Sequence, residues 1–258
     1  MIKNLWMFKV GEHGDVPAPE VYWMQGFGAW VRLSFYSFLV DTADGYLLVN
    51  TGLPKDLTDR NNFLKKWAND DRCKFTVSED QKIENALKKA GVGPADVAHV
   101  VVTPVQDYTV GRLDLFRNAQ LYFSMRGWFE DVVTPGKSAF ISRDVFLPKY
   151  VRQFLFEDAW DRIRLVEDQE IVEGVSVRWT GGHHRSSMSV LLQTKDGIIS
   201  ITDSAFTWKN LEENIPIGIA EDVGECLGAY SYLKMVSKSI IPAYDPDNVV
   251  RYNRYLLR

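Results

Sequence analysis

Cysteine is scarce in this chain of 258 residues: Cys73 and Cys226 stand far apart, and neither belongs to a Cys-x-x-Cys or Cys/His spacing. That pattern excludes a disulfide framework and a thiolate zinc site, and it points to reduced, structural thiols in the cytoplasm. Neither cysteine has a base beside it in sequence, so a cysteine nucleophile is not indicated. An excess of one charge is also missing. The 30 basic and 34 acidic residues leave a formal net charge of −4 without a block of like charges, so neither a nucleic-acid binder nor a polybasic membrane anchor is suggested. No apolar stretch approaches the roughly 20 residues that a membrane span needs. The opening Met1 to Val10 has Lys9 within its apolar run and no small-residue cleavage site after it. It reads as a first strand, not as a signal peptide. No internal repeat and no linker stands out.

What is present is a composition of 46% hydrophobic and 25% charged residues, which can bury one large layered core. Residues 1–258 therefore read as one domain. After the first strand, Gly11 to Pro19 is a turn-rich loop and Tyr22 to Trp30 an aromatic stretch. Val31 to Asp41 and Tyr46 to Asn50 are paired strands around the turn Thr42 to Gly45. Lys55 to Asn69 and Ser78 to Ala90 have helical spacing, and His99 to Thr103 is a strand with His99 at its edge or surface. Gln120 to Phe123 is a short strand, Met125 to Val132 a helix, and Pro135 to Ser138 a break. Phe146 to Trp160 has helical character and either packs or serves as a lid. Four strand-like runs follow: Ile163 to Val166, Val175 to Thr180, Ser189 to Thr194 and Ile198 to Thr202. A helix over Glu221 to Ser237, a strand at Ile240-Ile241 and a turn from Pro246 to Arg251 complete the chain.

The most informative stretch runs from Val100 to Phe116. A β-branched run feeds a polar loop, then a glycine and an amphipathic segment, which is how a buried strand delivers a functional loop to the rim of a sheet. It resembles the metal-binding signature of the metallo-β-lactamase superfamily, most closely its N-acyl homoserine lactonase-like branch. In that branch a strand ends in Thr-His-x-His-x-Asp-His, followed by a glycine and a Leu-x-x-Phe-like segment. Thr103, Gly111 and Leu113 to Phe116 fit the frame, but the four ligand positions read Pro104, Gln106, Tyr108 and Thr109. Val49-Asn50-Thr51-Gly52 resembles the superfamily's Val-Asp-Thr-Gly, with Asn50 replacing the aspartate and reading as a loop hydrogen-bonder. Trp179 to Ser189 is similar to the family's Thr-Pro-Gly-His-Thr-Pro-Gly-His-x-Ser loop, which places His183 on a metal-ligand histidine. Asp203 falls on the bridging aspartate, and Tyr244, in Pro242-Ala243-Tyr244-Asp245-Pro246, falls on the last ligand histidine.

The landmarks follow in order over nearly the whole chain, and they imply an α/β protein with the αββα four-layer sandwich of the metallo-β-lactamase fold. Of the family's ligand positions, His183 and Asp203 survive, whereas zinc takes three or four nitrogen, sulfur or carboxylate ligands. No metal site and no cofactor is therefore expected, the alternative being one zinc or similar divalent ion on His183, Asp203 and either His184 or Gln106. The replacing side chains hydrogen-bond, so the fold would gather Gln106, Tyr108, Thr109, His183, Asp203 and Tyr244 into a polar pocket for a small ligand, or into an inert network.

In the first case His183 is a base held in one tautomer by Asp203, and Tyr108 or Tyr244 donates to a developing oxyanion. Gln106, Thr109, His184 and Arg185 are the expected substrate contacts, with a surface ion pair as the other reading of Arg185. Asp107 reads as a solvated or capping carboxylate. The aromatic stretch from Tyr22 to Trp30 either lines an acyl or aryl subsite at the pocket mouth or packs in the core. The expectation is a hydrolase-like protein acting on a small lactone, ester or related carbonyl compound. A non-catalytic binding or scaffold protein and a non-hydrolytic enzyme are the alternatives. A small molecule is the expected partner, with neither nucleic acid nor membrane, and a homodimer is compatible with the sequence.

Overall fold

The computed structural model describes residues 2–134 and 143–252. The break read at Pro135 to Ser138 lies outside the described residues. Among the described residues eleven strands form two sheets. β1 (Asn4–Pro17), β2 (Trp30–Thr42), β3 (Gly45–Val49), β4 (Val97–Val101), β5 (Gln120–Ser124) and β6 (Ile163–Val166) pair in sequence order. The first two pairings are antiparallel and the last three parallel. The second sheet runs β11-β10-β9-β8-β7, with β7 (Gln169–Val172), β8 (Val175–Trp179), β9 (Met188–Thr194), β10 (Gly197–Thr202) and β11 (Ser239–Pro242).

Strand alternation sorts the apolar residues into layers. Phe38, Val40, Leu47, Val49 and Val101 meet Val175, Val177, Met188, Val190, Leu192 and Ile201 in the core between the sheets. The residues in the opposite phase, Leu39, Leu48 and Val100, join a second core with Leu64, Ile83 and Leu87 of the helices Thr58–Ala68 and Ile83–Lys88. On the other side Tyr230 and Leu233 of the helix Val223–Val236 pack near Ile240 of β11. The result is helix, sheet, sheet, helix, as the sequence led one to expect.

Some elements differ from the sequence reading. β1 continues through Gly11 to Pro17 instead of turning, because its register slips at Gly11 and Gly14 while pairing with β2 is kept. The segment Ser78 to Ala90 is not one helix: a short 3₁₀ turn, Glu79–Gln81, ends at the extended Lys82 before the helix Ile83–Lys88. The helices read near Met125 and Phe146 contain wide turns, with Thr134 N–H donating to Phe129 O at 3.1 Å and Ala159 N–H to Phe154 O at 2.9 Å. β7 and the helix Trp208–Glu213 had no counterpart in the sequence reading. Of the edge or surface place read for His99, the edge does not hold, since β4 lies between β3 and β5; the side chain is half-buried, with Nδ1 3.1 Å from the Tyr122 hydroxyl.

Candidate active site

The site forms where β3, β4, β8 and β10 end. Asn50 leaves β3 with φ of 63° and ties it to β4: its amide donates to Thr103 O at 2.9 Å and its carbonyl accepts the Thr103 N–H at 2.9 Å. Thr51 donates both its N–H, at 2.6 Å, and its hydroxyl, at 2.8 Å, to Thr109 O. Gly111 N–H donates to Gly52 O at 3.0 Å, and a Cβ on Gly111 would come within 2.2 Å of Pro54 N. That close approach is what the motif glycine permits. The Thr103-Pro104 peptide is cis. Thr109 then caps the short helix Asp107–Val110: its hydroxyl accepts Gln106 N–H at 3.1 Å and donates to backbone carbonyls.

The opposite wall comes from the loop between β8 and β9. Its histidine, His183, is 2% exposed, and its Nδ1 lies 3.2 Å from Oδ2 of Asp203, which is 1% exposed and follows β10. Ser187 donates its hydroxyl to the same Asp203 oxygen at 2.5 Å. Burial, with His184 beside it, pushes the His183 pKa down to about 4 against the pull of Asp203. The ring is therefore neutral near pH 7. With Asp203 accepting from Nδ1–H, the tautomer places the basic lone pair on Nε2.

A cavity of about 450 Å³ is bordered by His183, His184, Gln106, Tyr108 and Tyr244. Tyr108 stacks on Phe35 at 4.8 Å and meets Tyr244 edge-on at 5.8 Å between ring centroids. Burial raises both phenols well above their ordinary range, so they are neutral donors. The Tyr244 hydroxyl is buried, and among the described residues the Tyr108 phenol is the polar group that it meets. Asp203 stands behind His183 and does not itself border the cavity. Neither do Thr109, whose hydroxyl is taken up in capping, nor Arg185, which is held by Glu221 at 3.1 Å and Glu225 at 3.0 Å beside the Trp179 ring. His184 borders the cavity with Nδ1 3.5 Å from Glu221. The aromatic stretch is not at the cavity either, since Trp23, Met24 and Phe27 face solvent.

Asp107 is neither solvated nor a mere cap. It is buried and chelated by Arg60, whose Nε donates at 3.0 Å to Oδ2 and whose Nη2 reaches Oδ1, while Nη2 also donates to Gln106 Oε1 at 3.2 Å. The sequence reading missed Arg60, although Arg60 and Leu64 share the buried face of their helix at a spacing of four residues. It also missed His13, Glu20, Phe35 and Phe75, cavity residues that belong to no motif.

These donors do not suit the metal that the fold's relatives carry. Proline offers no donor at 104, Gln106 is engaged by Arg60, and the phenols at 108 and 244 stay protonated, which leaves His183 Nε2 short of the three or four ligands that zinc takes. Among the described residues, no group of three or more His, Cys, Asp or Glu side chains is placed to hold a metal ion.

No family model matches this chain. It is 22% identical over 218 residues to an N-acyl homoserine lactonase of Bacillus thuringiensis, covering 83% of this chain and 81% of that protein. It is 23% identical over 192 residues to an N-acyl homoserine lactonase of Bacillus cereus, covering 73% of this chain and 71% of that one. Among solved structures it superposes with a TM-score of 0.80 on an N-acyl homoserine lactone hydrolase with product at its catalytic metal centre. That match is 18% identical and covers 98% of this chain and 97% of the other. A probable metal-dependent hydrolase from Staphylococcus aureus matches with a TM-score of 0.73 and 15% identity, over 100% of this chain and 97% of that one. The chain has the metallo-β-lactamase fold and resembles its N-acyl homoserine lactonase-like branch, with most of that branch's metal ligands replaced.

Proposed function

We propose that this protein hydrolyses a small lactone, ester or related carbonyl compound in a metal-free pocket, with His183 and Asp203 as its acid/base pair. The observation that carries the reading is His183, on the wall of an apolar cavity that Tyr108 also borders, with buried Asp203 paired behind it. In the proposed reaction His183 Nε2 takes a proton from water as the water oxygen attacks the carbonyl carbon. Asp203 holds the imidazolium that forms, and the Tyr108 hydroxyl donates to the carbonyl oxygen as it becomes an alkoxide. On collapse, the imidazolium returns the proton to the departing oxygen. The relatives named for N-acyl homoserine lactone hydrolysis support this substrate class. The unbridged, buried Cys73 and Cys226 fit a reducing cytoplasm.

The low pKa of His183 also favours a second reading, ligand binding without turnover, because an imidazole held near 4 is a weak base. The test is hydrolysis of a panel of lactones and aryl esters by chelator-treated wild type, His183→Ala and Asp203→Asn. The expected result is turnover that falls by roughly 100-fold or more in both variants. Full turnover in either variant would remove the pair from the reaction, and no turnover by the wild type would leave the binding reading.

A further inference from the structure

Arg60 is 6% exposed and borders the cavity. Its Nε and Nη2 are engaged by Asp107 and Gln106, whereas Nη1 has no hydrogen-bond partner among the described residues. Nη1 is not among the buried polar atoms cut off from a partner, so it opens to accessible space, and the space that Arg60 borders is the cavity. Two N–H groups of a fixed, planar guanidinium are therefore open to an acceptor that the described residues do not supply.

The charges around Arg60 say which kind of acceptor. Asp107 already matches it, Glu20 borders the same cavity, and Glu221 is matched by Arg185. A carboxylate arriving here would meet a cation already neutralised and an acid nearby. An uncharged oxygen meets two strong donors and no repulsion. The body of the ligand is defined by the walls: Phe35, Phe63, Trp67, Phe75, Phe206 and the Tyr108 ring all border the cavity. Rigid rings on several sides suit a planar aromatic group, which gains from stacked and edge-on contact.

We infer that Arg60 Nη1 is the ligand anchor of this cavity, and that it takes the carbonyl oxygen of an uncharged amide, ester or lactone carried on a planar aromatic body. The inference rests on the carbonyl-compound reading and sharpens it to an aromatic, uncharged substrate. Arg60 then holds the carbonyl oxygen directly, beside Tyr108, which lies within the field of both Arg60 and Asp203.

The experiment is isothermal titration of 2-naphthamide and 2-naphthoate, which share a body and differ in the charge of the acceptor. Removing Arg60 alone would strand a buried carboxylate, so the variant is Arg60→Gln with Asp107→Asn, a neutral amide pair of similar size. Arg60→Lys is the second variant, keeping the charge but losing the guanidinium fork. The amide should bind wild type at least about 10-fold more tightly than the carboxylate, and should lose about 10-fold or more in either folded variant. Equal or tighter binding of naphthoate, amide binding unchanged in a folded variant, or no binding of the amide to wild type would each overturn the inference. Because an amide is read by binding and not by turnover, Arg60-dependent amide binding without ester hydrolysis would sink the hydrolase reading and leave the anchor standing.

Discussion

Burial sets the protonation state of the groups in this cavity, and the pH dependence follows from it. His183 and His13 are both pushed down to about 4, mainly by desolvation, against an ordinary value of 6.5. Above pH 6.5 they are neutral in the folded and unfolded chain, and they contribute no slope. Between 6.5 and 4 the unfolded chain binds protons that the folded chain refuses, so stability falls as the pH drops. For His183 the loss amounts to on the order of 3 kcal/mol once both values are passed. Asp107 works the other way, since burial raises its carboxyl above the ordinary carboxylate range while Arg60 pulls it back, so its protonation adds stability as the pH falls. Urea midpoints from pH 7.5 to 4.5 should show the fall, and His183→Gln should flatten it. Turnover, if His183 is the base, should be level from pH 6 to 8, with its acid limb near 4 and not near 6.5. Tyr108→Phe keeps the ring stacked on Phe35 at 4.8 Å and removes one donor. The melting temperature should barely move while kcat/KM on a confirmed ester falls by about 100-fold. His183 and Asp203 were legible in sequence because they keep their motif positions. Arg60 was not, because a lone arginine in an amphipathic helix shows nothing of the Asp107 it will meet.

At the scale of elements, the motif frame outlasts its ligands because it also holds the sheet ends together. Asn50 replaces an aspartate and still bonds Thr103 through both amide atoms. Asn50→Ala loses two buried hydrogen bonds at a position with positive φ, and should cost about 2–3 kcal/mol in urea unfolding. Gly111→Ala drives a Cβ against the Pro54 backbone, and should cost about 1–3 kcal/mol with the cavity residues unchanged. The strands that run apolar over their whole length could be read from sequence, as could the long helix near the C-terminus. β1 could not, because Gly11 and Gly14 carry positive φ inside a paired strand, and the eye takes two glycines for a turn. β7 was missed because Gln169 and Glu170 leave it with little apolar alternation.

For the whole molecule, the order of landmarks carried the fold, since loops at strand ends have fixed places in a layered sandwich. The chemistry did not come with it, because a cavity is closed by residues far apart in sequence: His13 from β1, Arg60 from a helix, Phe75 and Ile219 from loops. The same contrast gives the prediction for metal. If the polar cluster is complete without an ion, zinc finds its former positions filled by a proline, an amide held by a guanidinium, a capping hydroxyl and two protonated phenols. Binding at 100 times Kd would stabilise the fold by about 2.7 kcal/mol, a rise of several degrees in melting temperature for a chain of this size. We expect elemental analysis of chelator-free protein to find well under one equivalent of metal, and micromolar zinc to leave the melting temperature unchanged. One or two equivalents with a rise of that order would mean that His183, Asp203 and neighbours rearrange into a ligand set, and the metal-free mechanism would be withdrawn.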